Sequence, residues 1–156
     1  MPMQNKAEQK FKEWLDGRNY AYLYVDQSSD TFSSFFRGIA KRPDFIVIIR
    51  HVGLIAVDVK GKSLFSPRGD RAFFTLDKRN DVSKHDEFER TTRIPVWFVF
   101  MNEEDDYDKQ HWIPLSKVLT CELMRDRSGE EFFLIPQSEC IVIQSSRDSI
   151  SRIIEG

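Results

Sequence analysis

Two acids and a lysine stand where they could hold a metal ion and activate water: Asp44 in Arg42-Pro43-Asp44-Phe45, then thirteen intervening residues, then Asp58-Val59-Lys60. The runs between them, Phe45 to Ile49 and Leu54 to Lys60, are short and β-branched with Gly53 in the middle, the pattern of a hairpin. Side chains alternate across a strand, so Asp58 and Lys60 share one face while Val57 and Val59 take the other. A three-residue loop, His51-Val52-Gly53, with Gly53 left-handed, pairs Arg50 with Leu54. That register sets Asp44 opposite Lys60, with Asp58 diagonal to Asp44 on the same face. Opposite neighbours lie about 4.5–5.5 Å apart and diagonals about 7–8 Å, so two carboxylates and an ammonium converge at a span that one divalent cation could bridge. Mg²⁺ takes oxygen ligands and is commonly held by one or two carboxylates while keeping several waters. In phosphodiester hydrolysis such an ion lowers the pKa of a bound water and neutralises charge on the phosphate. A lysine beside it could orient the water and stabilise the same anionic transition state.

Asp-x-Lys alone is common, and its plainer reading is an exposed same-face pair with Asp44 capping a strand. Three features favour a site. Charges end an otherwise apolar strand, where core residues would be expected. Glu8 lies on the border of the first helix's apolar stripe, about 75° from its centre against about 145° for Glu13, so Glu8 can reach inward. The window Arg37 to Arg71 holds eight basic residues (Arg37, Lys41, Arg42, Arg50, Lys60, Lys62, Arg68, Arg71) against three acids (Asp44, Asp58, Asp70), a local charge of +5. Such a window is the electrostatic footprint expected for a polyphosphate, although a solvated face is the ordinary role of any single arginine in it.

The elements that must position these residues follow from periodicity. Gln4 to Asp16 reads as an amphipathic helix carrying Ala7, Phe11, Trp14 and Leu15, stopped by Gly17. Tyr20 to Val25 reads as a strand, and Asp26 to Arg42 as a loop with one short helical turn around Phe32, Phe35 and Phe36. After the hairpin come a Gly/Ser/Pro-containing stretch, Gly61 to Gly69, and an apolar patch, Ala72 to Leu76, that suits a strand or a helix start. Ser83 can cap a helix running to Arg93, and Ile94 to Met101 is a strongly β-prone strand. His111 to Leu115, Phe132 to Ile135 and Ile141 to Gln144 read as further strands, Asp126 to Gly129 as a turn, and Ser146 to Glu155 as a closing helix. This order predicts an α/β domain spanning residues 1–156, with a central mixed sheet flanked by helices.

Composition bounds the function. With 40% hydrophobic residues and thirteen Phe in 156 residues, the chain suits one buried core and not a disordered polymer. No apolar run is long enough to cross a bilayer and the start lacks a signal peptide's apolar stretch, so a soluble, cytoplasmic protein with no membrane partner is expected. Cys121 and Cys140 form no CxxC pair and read as reduced core residues. A formal charge of −2 excludes a uniformly basic nucleic-acid binder and leaves a polarised one. The absence of a glycine-rich phosphate loop and of GxSxG removes support for NTPase and serine-hydrolase readings. The run Glu103-Glu104-Asp105-Asp106 lacks the pattern of a calcium loop and reads as a solvated turn that would repel DNA.

Pro43-Asp44, Asp58-Val59-Lys60, the N-terminal helix with Glu8, and the helix and strand around Glu87 to Phe100 together resemble the PD-(D/E)xK nuclease superfamily, whose restriction-endonuclease-like fold also contains archaeal Holliday-junction resolvases. The resemblance covers about the first hundred residues. It implies that Asp44 and Asp58, aided by the Val59 carbonyl, bind Mg²⁺ or Mn²⁺, that Lys60 assists the nucleophile, and that Glu8 supports a second metal or orients Lys60. The second acid is Asp58 where Glu is commoner, which shortens its reach and keeps its charge. Family members also place a polar residue on the later helix near the scissile phosphate, so Lys84 or His85 could touch the nucleic-acid backbone, although a solvated helix start is the plainer role for Lys84-His85-Asp86-Glu87. The implied partner is nucleic acid, DNA first, met by Arg37, Lys41, Arg42, Lys62, Arg68, Arg71, Lys84 and His85, with a homodimer as a candidate assembly. The rival reading is a nuclease-fold binding or assembly module that does not cleave.

Overall fold

The β-branched runs at the centre of the chain become the middle of a six-stranded mixed sheet in a computed structural model that describes residues 6–26, 28, 33–36 and 38–155. The strands are β1 (Ala21–Tyr24), β2 (Phe45–Ile49), β3 (Gly53–Gly61), β4 (Phe73–Asp77), β5 (Val96–Met101), β6 (Lys109–Pro114), β7 (Glu122–Arg125), β8 (Glu131–Pro136) and β9 (Ile141–Gln144). The large sheet runs β1-β2-β3-β5-β6-β9, with β3 and β5 parallel and its other pairs antiparallel; a smaller sheet runs β4-β8-β7. The helices are α1 (Lys6–Gly17), α2 (Ser83–Thr92), α3 (Leu115–Val118) and α4 (Arg152–Glu155). Among the described residues no helix is long and apolar enough to cross a membrane.

Alternation along β3 sorts the core into two layers. Ile55, Val57 and Val59 join Ala7, Phe11, Trp14 and Leu15 of α1 on one face of the sheet. Ala56 joins Val82 and Phe88 near α2, together with Phe74, Leu76, Phe133 and Ile135 of the smaller sheet, on the other. A strand covered on both faces must be apolar throughout, as β5 is, with Val96, Phe98, Val99, Phe100 and Met101 all buried. Phe11 anchors the first layer, its ring centroid 5.3 Å from that of Phe45 and 5.7 Å from that of Trp112. Cutting this buried ring back to alanine would cost about 3–5 kcal/mol. A Cβ on Gly61 would lie 3.3 Å from the Ala7 Cβ, so a side chain at the end of β3 would push the first turn of α1 back by a few tenths of an ångström.

Several expectations are corrected. The β2–β3 register pairs Ile49 with Gly53 and Phe45 with Val57, two residues away from the expected one. Val52 N–H closes a turn onto the Ile49 carbonyl at 3.0 Å, which makes His51 (φ 66°) the left-handed residue; Gly53, at φ 136°, opens β3. Because the slip is an even number of residues, each side chain keeps its face. Ser83 is not a cap: Asp77 Oδ1 accepts from Asn80 N–H at 2.7 Å and starts a π-type turn, Lys78–Val82, that runs into α2 with Ser83 already helical. The closing helix shrinks to Arg152–Glu155 because Asp108 accepts from the Ser145 and Ser146 amides and Asp148 from the Gln144 amide, holding this segment in turns. Ala72 to Leu76 resolves as the strand β4, while β7 (Glu122–Arg125) was not expected. Gln4 and Asn5 of the first predicted helix, and Phe32, lie outside the described residues.

Candidate functional site

β3 presents Asp58 and Lys60 on the α2 face, as alternation requires. Asp44 lies just before β2, one position beyond the Phe45–Val57 pair, so it stands opposite Asp58 and not opposite Lys60 as the expected register had it. Its backbone N–H donates to the Val57 carbonyl at 3.0 Å, and its Oδ2 accepts from Val59 N–H at 2.8 Å. The side chain thus takes the place of the next ladder acceptor and is fixed beside Asp58. From α1, Glu8 is turned inward with only 5% of its surface exposed, and its Oε1 accepts from the Tyr24 hydroxyl at 2.8 Å.

Burial and neighbouring charge raise two of these acids, Asp44 and Glu8. Burial, then the Asp58 and Glu8 charges, push the Asp44 carboxyl up to about 9. Burial also raises Glu8, eased by the Tyr24 hydrogen bond and reinforced by Asp58. Carboxyls gathered at the end of a strand and raised first by burial and then by neighbouring charge are what a divalent cation would return to their ionised forms.

The other side of Asp58 is built differently. Lys60 Nζ sits 3.0 Å from Asp58 Oδ2 and 2.7 Å from Asp81 Oδ2. His85, 0% exposed, places Nδ1 3.1 Å from Asp81 Oδ1 and 3.0 Å from the Asp81 carbonyl, and Nε2 3.5 Å from Asp58 Oδ1. Its ring meets Phe98 edge-on at 5.1 Å. Lys41 Nζ reaches Asp81 Oδ1 at 3.4 Å. Burial alone would raise Asp58, but His85 and Lys60 hold it below the usual range; burial alone would lower Lys60, but Asp58 and Asp81 keep its ammonium well above. Burial would likewise lower His85, yet Asp58 and Asp81 push it up to about 9. Asp81 is held low, burial being outweighed by His85 and Lys60. Asp58 Oδ2 and His85 Nε2 are buried without a hydrogen-bond partner, so Lys60 meets Asp58 as a charge off the hydrogen-bonding line.

Asp81 and His85 are the residues that sequence reasoning missed as part of this centre. The solvated helix start expected for His85 is corrected: the side chain is buried and points inward to Asp58 and Asp81. The signal was present, because Val82, His85 and Phe88 fall at i, i+3 and i+6 and Asp81 lies four residues before His85. Among the described residues, Asp58, Asp81 and His85 form a group whose candidate ligand atoms all lie within 4.8 Å of one another; the expected acids Glu8, Asp44 and Asp58 are gathered more loosely. Lys60 is oriented by Asp58 and Asp81, where Glu8 was a candidate for that task.

The expected basic surface divides. The Lys41 backbone N–H donates to the Lys84 carbonyl at 3.2 Å, which puts both lysines beside the centre. Arg42 Nη1 donates to the Ser28 carbonyl at 2.9 Å, and Lys62 follows β3 with its N–H on the Met101 carbonyl at 3.1 Å. Arg68 pairs with Glu122 of β7 at 3.0 Å, and Arg71 lies 5.3 Å from the Phe73 ring, so both belong with the smaller sheet. Arg37 lies outside the described residues. Phe35 and Phe36 pack on the second core layer, and Glu103–Asp105 forms an exposed turn. Cys121 and Cys140 are free thiols.

By sequence, neither a family model nor a curated protein matches the chain. By structure it is similar to Hjc, a Holliday junction resolvase from the archaeal hyperthermophile Archaeoglobus fulgidus, with a TM-score of 0.55 and 15% identity over 95% of this chain and 99% of that one. The fold is restriction-endonuclease-like. Asp58 and Lys60 lie towards the carboxyl end of β3, with β5 running parallel beside it.

Proposed function

We propose that this protein is a metal-dependent nuclease of the PD-(D/E)xK kind that hydrolyses phosphodiester bonds of nucleic acid, DNA in the first instance, with residues 1–156 acting as one domain. The observation that carries the reading is Asp44 locked beside Asp58 by the Val59 amide, with Lys60 two residues on, within a resolvase-like fold. The donor set fits a hard cation: Asp44 and Asp58 would hold Mg²⁺ or Mn²⁺ with help from the Val59 carbonyl, and Glu8 would act through the ion's waters or on a second ion. Bound there, the ion supplies charge neutralisation and a more acidic water. The water's oxygen would bond to phosphorus as the bond to the leaving sugar oxygen breaks, the attacking water giving a proton up to bulk solvent and the leaving oxygen taking one from it. Lys60, kept as an ammonium by Asp58 and Asp81, is suited to orienting that water and offsetting charge on the phosphate, and not to taking a proton. Lys41 and Lys84 would meet neighbouring phosphates.

The test is a cleavage panel of linear, nicked, branched and RNA substrates with Mg²⁺ or Mn²⁺. Metal-dependent cutting of at least one substrate, lost in Asp58→Ala and Lys60→Ala proteins that still fold, is the expected result. Salt-sensitive binding with no cutting in either metal would make the protein a nuclease-fold binding module instead.

A further inference from the structure

The centre contains one more acid than the proposed metal site uses, and it lies on the wrong side of Asp58 to join Asp44. Asp81 comes from the π-type turn before α2, a local distortion frequent at functional sites. Its Oδ2 is 2.7 Å from Lys60 Nζ, closer than the 3.0 Å from that nitrogen to Asp58 Oδ2. Its other oxygen is braced by His85 Nδ1 at 3.1 Å and Lys41 Nζ at 3.4 Å, so the carboxylate is a fixed post. Lys60 is therefore shared between two carboxylates, of which only Asp58 faces the cation site. A divalent cation on Asp58 competes with the ammonium for the same charge and repels it.

We infer that Asp81 is a positioning residue that keeps the Lys60 ammonium anchored when Asp58 turns to the metal, so that metal and lysine can occupy the centre together. Without Asp81, Lys60 has Asp58 as its remaining carboxylate and opposes metal entry. His85 serves the same end indirectly, holding Asp81 from behind. This inference rests on the metal-dependent reading of the site and sharpens the role of a residue that reading leaves unassigned.

Mn²⁺ titration by calorimetry, with no nucleic acid present, tests it on the wild type, Asp81→Asn, Lys60→Gln and the double variant Asp81→Asn/Lys60→Gln. Asp81→Asn is expected to weaken Mn²⁺ binding roughly 10–100-fold, the range for losing a group that supports a ligand. In the Lys60→Gln background the same substitution is expected to change affinity less than about threefold, because the ammonium it anchors is gone. The double variant removes a cation and an anion together, so if Asp81→Asn alone does not fold, a roughly tenfold or greater loss between Lys60→Gln and the double variant still overturns the inference. Equal weakening in both backgrounds would make Asp81 a metal ligand and overturn the inference, as would wild-type affinity in Asp81→Asn. A wild type that binds no Mn²⁺ would sink the metal-dependent reading and this inference with it. Mn²⁺ binding coupled through Lys60 as described, with no nuclease activity on any substrate, would support the inference and reject only the nuclease.

Discussion

Asp58 divides its surroundings into two regions of opposite electrostatic character. Towards β2 and α1 it meets Asp44 and Glu8, acids raised first by burial and then by neighbouring carboxylates. Towards α2 it meets Lys60 and His85, with Asp81 behind them, in a buried array of two carboxylates and two groups held in their cationic forms. The first region has no cation of its own, so its carboxyls are pushed towards their neutral forms and an added cation would reverse that; the second carries its own cations. Proximity of ligand atoms alone would favour Asp58, Asp81 and His85 as the metal site, since those three lie closest together. Charge reverses that choice, because an ammonium already lies 2.7 Å and 3.0 Å from the two carboxylates there.

Asp58 belongs to both regions, so its removal has the largest effect. Asp58→Ala should abolish metal-dependent cleavage and Mn²⁺ binding together, with circular dichroism reporting a retained fold. Next comes Lys60→Ala, which breaks the second region alone. It should cut turnover roughly 10²–10³-fold, the range for losing one transition-state donor. It should also destabilise the protein by about 3–5 kcal/mol in denaturant unfolding, because Asp58 and Asp81 are left buried without their ammonium. An unchanged midpoint would mean that water enters and solvates that array.

One group from each region, Asp44 and His85, predicts a pH dependence for the metal-free protein. Asp44 titrates at 3.8 when unfolded and near 9 when folded, and His85 at 6.5 and near 9. For both groups the folded state binds more protons between those limits, so stability is greatest below the unfolded value and declines as pH rises to about 9. Melting temperature without metal should therefore fall from pH 6.5 to 9. Saturating Mg²⁺ should flatten the Asp44 part of that slope, since the ion requires the carboxylate. A slope unaltered by Mg²⁺ would remove Asp44 from the metal site. The smallest effects are at the surface: Lys84→Ala and Lys41→Ala should each weaken DNA binding several-fold and lower the salt slope by about one. Arg68→Ala, already paired with Glu122 on the smaller sheet, should change binding less than twofold.

What the sequence made legible follows the same division. The hairpin, the apolar stripe of α1 and the shared face of Asp44, Asp58 and Lys60 all rest on local periodicity, which survives a register slip of two residues. Choosing between Lys60 and Asp58 as the partner of Asp44 depended on whether the hairpin loop covers residues 51–53 or 50–52, and the Val52 N–H bond to the Ile49 carbonyl closes it on the latter. Asp81 and His85 were harder to see because a charged segment, Lys84-His85-Asp86-Glu87, reads as solvated until α2 is known to cover the sheet. The short α4 and the strand β7 depend on long-range contacts, with Asp108 in one case and β8 in the other, that no local pattern carries.

The most direct test of the account is a crystal structure of the protein soaked with Mn²⁺, its position read from anomalous scattering. The account predicts density ligated by Asp44 and Asp58, with Lys60 remaining on Asp81. Density ligated by Asp81 and His85, with Lys60 displaced, would contradict it.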